Sequence, residues 1–114
     1  MRVVNIVSAL TGAFALIMLA LLRHAGAGGD MSAVLIGGML HLSAATAGLT
    51  VAGRSGKLNL IAIAMVLVGA NIFAGVIYAN ALAPGHPFHA LAPLGGGLQI
   101  IGWILLAFAS PERR

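Results

Sequence analysis

LNLIAIAMVLVGANIFAGVIYANAL, residues Leu58–Leu82, runs for twenty-five positions without a charge, and Lys57 stands directly before it. As a helix rising about 1.5 Å per residue, it is long enough to cross the roughly 30 Å hydrocarbon core of a bilayer. A backbone in hydrocarbon must satisfy its own N–H and C=O groups, and a continuous helix does so. Three further uncharged stretches repeat the pattern. Val3–Leu22 lies between Arg2 and Arg23, and Ser32–Gly53 is ended by Arg54. Leu94–Ser110 is opened by Pro93 and closed by Pro111-Glu112-Arg113-Arg114. The sequence predicts an all-α integral membrane protein, one membrane domain over residues 1–114 with spans at 3–22, 32–53, 58–82 and 94–110.

Composition agrees. The chain is 61% hydrophobic and 7% charged, against about 25% charged residues in soluble domains, so it cannot cover a water-exposed surface. Without cysteine it has no disulfide, no Cys-ligated zinc, no iron–sulfur cluster and no thiol chemistry. The net charge of +4 comes from basic residues scattered over termini and turns, which form no patch for nucleic acid.

Those charges set an orientation instead. The connections Arg23–Met31, Arg54–Lys57 and Ala83–Pro93 are short, which makes successive helices antiparallel neighbours in a compact four-helix bundle. One side then carries Arg2, Arg54, Lys57, Arg113 and Arg114, and the other carries only Arg23. By the positive-inside rule both termini face the cytoplasm, N-in and C-in. The Ala25-Gly26-Ala27 stretch has the form of a signal-peptidase site, but the preceding apolar run exceeds the usual 7–15 residues of a signal h-region. An uncleaved first span is expected.

Small and polar residues mark where membrane helices touch, because lipid-facing positions need only be apolar. At three- and four-residue spacing the first span offers Asn5, Ser8, Gly12 and Ala15. The second offers Gly37, His41, Ala44 or Ala45, Gly48 and Ala52, the third Ala64, Asn71, Gly75 and Tyr78, and the fourth Gly95, Gln99 and Gly102. Close packing is expected at Gly12, Gly37, Gly48, Gly75, Gly95 and Gly102. His41, Asn71 and Gln99 lie twelve, thirteen and eleven residues from the same-side ends of their spans. That places them at one level, about 17–20 Å deep. An unpaired polar group there costs several kcal/mol, so a shared hydrogen-bonded cluster of His41, Asn71 and Gln99 is expected. It is either a structural clasp or a candidate ligand site.

The other chemistry-bearing patterns lead nowhere further. A bis-His haem needs two imidazoles facing each other from different helices, and His24, His86 and His89 fall in outer loops. Within Pro84-Gly85-His86-Pro87-Phe88-His89, two prolines break the helix that would aim His86 and His89 at one metal. Gly95-Gly96-Gly97 lacks the Lys-Ser/Thr and the preceding strand of a phosphate loop. No metal, no cofactor and no catalytic residue is assigned, and an enzyme is not expected.

Two stretches resemble a known family. Gly69-Ala70-Asn71-Ile72-Phe73-Ala74-Gly75-Val76-Ile77-Tyr78 is similar to the "G-x-x-x-F-S-G-S-x-Y" segment of the YgdD-like inner-membrane proteins, domain-of-unknown-function family 423. Ala92-Pro93-Leu94-Gly95-Gly96 with Gly102-Trp103 resembles that family's "T-P-x-G-G … G-W" signature. Met39-Leu40-His41 stands where the family has "Y-Q-x-x-H", so the resemblance makes His41 the counterpart of its membrane histidine. The first helix departs: where the family has "G-A-F-G-A-H", Leu19-Ala20-Leu21-Leu22-Arg23-His24 keeps the histidine and one alanine. The resemblance implies a four-helix protein of the bacterial inner membrane and supplies no reaction.

The expected role is a small non-enzymatic inner-membrane protein, an accessory or structural subunit packing against lipid and against other membrane subunits or copies of itself. The alternative is a small transporter or channel using the midplane cluster, although no span contains the carboxylate that small multidrug pumps use.

Overall fold

The computed structural model describes residues 2–24, 31–83, 85 and 87–113. Among these residues four helices carry the chain: α1 (Arg2–His24), α2 (Met31–Val51), α3 (Lys57–Leu82) and α4 (Leu91–Phe108). Each is long and apolar enough to cross a membrane. The long dimension of the molecule, 45 Å, exceeds the hydrocarbon thickness and reaches the headgroup layers.

The helix limits follow from local chemistry. α4 begins at Leu91 rather than after Pro93. Pro93 sits in the first turn, where its missing N–H had no intrahelical acceptor anyway. α2 stops at Val51, and the chain turns through Gly56, whose φ of +96° belongs to the left-handed region open to glycine.

Contacts between helices run in opposite sequence order. Gly48 packs on Ser8, Gly12 on Ala45 and Gly38 on Leu19. Likewise Gly37 meets Ile77 and Gly48 meets Leu67 between α2 and α3, while Gly102 meets Ala62 and Gly95 meets Phe73 between α3 and α4. The arrangement is more open than a four-cornered bundle. α3 packs on all three other helices, but no Cα of α4 comes within 8 Å of α1 or α2 among the described residues.

Close packing concentrates at the α3–α4 seam. An added Cβ at Gly69 would lie 2.6 Å from the Gly95 carbonyl oxygen and 2.7 Å from the Gln99 nitrogen. At Gly95 it would lie 2.7 Å from the Phe73 nitrogen, and at Gly102 2.8 Å from the Ala62 oxygen. Backbone meets backbone there, with Val66, Ile72 and Gln99 side-chain atoms packed beside it. Gly37 and Gly48 also sit tight, the latter against Ser8, whereas Gly12 makes an ordinary 3.4 Å contact with Ala45. Gly75 is a correction: nothing lies within 4 Å of its added Cβ. The glycine that approaches α4 is Gly69, nearly two turns earlier.

The α1 seam is Val4, Ser8, Thr11, Ala15, Met18 and Leu22, an alternation of four and three residues that keeps one stripe facing its neighbours. Asn5, expected there, is exposed, as is Ala64 on α3. Two apolar clusters fill the interior. One gathers Val4, Ala44, Val51, Ile63 and Val66, and the other Met18, Leu22, Val34, Ala74 and Tyr78.

Beyond α4 the chain doubles back onto the α2–α3 turn. Ser55 N–H donates to the Glu112 carbonyl at 3.0 Å, and Arg54 and Arg113 form an isolated antiparallel bridge. Asn59, fully buried, donates from Nδ2 to Ser55 O at 2.8 Å and Ser110 O at 2.7 Å, and Arg113 donates to Thr50 O at 3.2 Å. One asparagine thus closes the end of α4 over the start of α3.

Candidate functional site

The polar residues at depth are brought together where α1, α2 and α3 meet. His41 projects from the middle of α2 with 0% exposure, between the two apolar clusters. Its Nε2 is 2.8 Å from Asn71 Oδ1 and its Nδ1 is 3.1 Å from the Tyr78 hydroxyl. Asn71 Nδ2 reaches the Leu67 carbonyl one turn back at 2.8 Å and Thr11 Oγ1 at 3.2 Å.

These bonds fix the roles of the imidazole and amide groups. The Leu67 carbonyl can only accept, so the Asn71 amide must turn its NH₂ that way and present Oδ1 to the imidazole. His41 therefore donates from Nε2–H to Asn71 Oδ1, and Nδ1 accepts from the Tyr78 O–H. Both ring nitrogens are satisfied in one neutral tautomer, which is what burial in hydrocarbon requires. The Asn71 bond to Leu67 O also explains how an asparagine sits mid-helix, its amide returning to its own backbone.

Aromatic contacts brace the ring. Phe14 stands edge-on to His41 at 5.7 Å and 86°, and to Tyr78 at 5.9 Å and 75°, both within the favoured T-shaped range. His41 and Tyr78 are 5.7 Å apart at 47°. Five side chains from three helices thus form one unit: Thr11 and Phe14, His41, Asn71 and Tyr78.

Gln99 is not part of it. It is buried, with 7% exposure, but it lies against Gly69 on the α3–α4 seam. Equal depth brought it level with His41 and Asn71, but α4 does not approach α2, so the three cannot form the expected cluster. Neither Thr11 nor Phe14 stands out by small-residue spacing, and Tyr78 does so as a seam position and as the end of the Gly69–Tyr78 stretch. Thr11 had one signal, its place three residues after Ser8 on the same helical stripe.

Two surface grooves lie among the described residues near these helices. One of about 780 Å³ runs between α2 and α4, lined by Met39, Leu42, Thr50, Arg54, Trp103 and Leu106 among others. A smaller one of about 260 Å³ is bordered by Asn71, Gly75, Val76, Phe88 and Leu91. Among the described residues no group of three His, Asp or Glu side chains converges on a metal-sized space. His86 lies outside those residues, as do Ala25-Gly26-Ala27, so neither reading on them is addressed by the structure.

The molecule is thus a membrane protein with four apolar helices, three of them joined by a buried histidine network. A UPF0382 membrane protein of Haemophilus influenzae is 35% identical over 72 residues, which cover 63% of this chain and 58% of that protein. The match therefore spans little more than half of the relative's length. It points to a group of uncharacterised small membrane proteins. No family model and no solved structure matches the chain.

Proposed function

We propose that this chain is a small non-enzymatic protein of the bacterial inner membrane, with antiparallel helices and both termini cytoplasmic, serving as an accessory or structural subunit. The observation that carries the reading is the completeness of the His41 network. Every ring nitrogen and amide group in it is used to join α1, α2 and α3. A proton carrier or substrate site in a membrane needs groups left to offer, normally a carboxylate or a chain of histidines. The clasp reading accounts for each bond without them.

The orientation is supported by the gathering of Arg54, Lys57 and Arg113 at the α2–α3 turn and the adjoining tail. The likeness of residues 69–78 and 92–103 to the YgdD-like family, together with the membrane relative, supports the bacterial inner membrane. The partner is another membrane subunit or a second copy of this chain.

Purification from native membranes in mild detergent, with crosslinking, tests this. A stoichiometric membrane polypeptide or a homo-oligomer is expected. A bare monomer with no companion would overturn the subunit role, and pH-driven flux in proteoliposomes lost in His41→Ala would put a transporter in its place.

A further inference from the structure

The groove between α2 and α4 has no part in the proposal above. It exists because α4 packs on α3 alone, leaving a gap beside α2 that opens sideways to the membrane. Its walls are graded. Met39 and Leu42 line its deep part, Trp103 and Leu106 stand on the α4 side, and Thr50 and Arg54 close the end nearest the α2–α3 turn. From Met39 to Val51, where α2 ends, is about 18 Å along the helix axis, longer than the roughly 15 Å of hydrocarbon in one leaflet. Such a groove takes in an acyl chain together with the glycerol region above it.

The polar groups of the wall are ordered along the same axis. Thr46 and Thr50 return their hydroxyls to the backbone of α2, at 2.9 Å to Leu42 O and 2.8 Å to Thr46 O. Trp103, 47% exposed, stands less than two turns inside the end of α4, the level at which indole N–H groups meet lipid carbonyls. At the rim Arg54 makes no ion pair among the described residues, and Arg113, donating to Thr50 O, stands beside it. Glu112 is the one acidic residue of that end.

We propose that the α2–α4 groove is a specific site for one anionic phospholipid, its phosphate on the Arg54 and Arg113 guanidinium groups and one acyl chain laid along Trp103, Leu42 and Met39. Charge complementarity selects the occupant. A partner helix would have to bury two arginines that make no ion pair among the described residues, whereas a phosphodiester brings the negative charge with it. The volume, about 780 Å³, lies within the range of small-molecule binding sites.

Native mass spectrometry of the full chain in detergent tests the site, with phosphatidylglycerol and phosphatidylethanolamine added at equal concentration. One phosphatidylglycerol per chain is expected to remain bound preferentially. Arg54→Ala should weaken its retention about fivefold, the effect of one basic residue at a membrane surface. Arg54→Lys should largely keep it, and Arg23→Ala, at the other end of the molecule, should leave it unchanged. If Arg54→Ala does not fold, Trp103→Leu carries the same test and should shorten retention without altering the oligomeric state. Equal retention of the two lipids, indifference to Arg54, or a dimer that fills the groove without lipid would each overturn the proposal.

Discussion

At the scale of single residues, His41 shows how one polar side chain is made tolerable in hydrocarbon. Its two nitrogens are engaged by Asn71 and Tyr78, and Phe14 covers its face. Replacing it with Ala removes two interhelical hydrogen bonds, about 0.6 kcal/mol each in membrane proteins, and leaves a cavity. With a cavity cost of about 1–3 kcal/mol, His41→Ala should destabilise the protein by about 2–4 kcal/mol, read from denaturation in detergent. Asn71→Ala should cost less when combined with His41→Ala than alone, because the shared bond is lost only once. Strict additivity in that double-mutant cycle would mean that the 2.8 Å contact contributes nothing.

Among elements, α3 and α4 depend on the absence of side chains. Gly69→Ala and Gly95→Ala each push a methyl into backbone atoms nearer than 3 Å, so each should cost about 1–3 kcal/mol and lower the detergent melting temperature. Gly75→Ala meets nothing within 4 Å and should be neutral or slightly stabilising, since alanine favours the helix. A fall in stability equal to that of Gly69→Ala would contradict the assigned seam. Asn59 joins α3 to the end of α4 through Ser110 O, and Asn59→Leu should free the tail, visible as faster proteolysis after Ser110.

For the whole molecule, the helix order and the charge distribution make orientation directly measurable. The native chain has no cysteine, so single substitutions report cleanly. Glu112→Cys should resist a membrane-impermeant maleimide in intact cells and react once the membrane is opened, whereas Ala90→Cys should react in both conditions. The reverse pattern would invert the proposed topology.

The sequence alone made four apolar helices readable, because span length and the absence of charge are properties of the chain that no tertiary contact can alter. It also placed His41 and Asn71 at a common depth, since a helix converts position into height at a constant rise. Angle around the axis was another matter. Whether Asn71 turns to α2 or to α4, whether Gly69 or Gly75 receives the next backbone, and whether Gln99 meets His41 all depend on which faces dock. In lipid nearly every face is apolar, so hydrophobic patterning does not distinguish the docking face. Tertiary packing decided it: the backbone approach at Gly69, Gly95 and Gly102 fixed α4 on α3. That contact left Gln99 on a different seam and opened the groove that ends at Arg54.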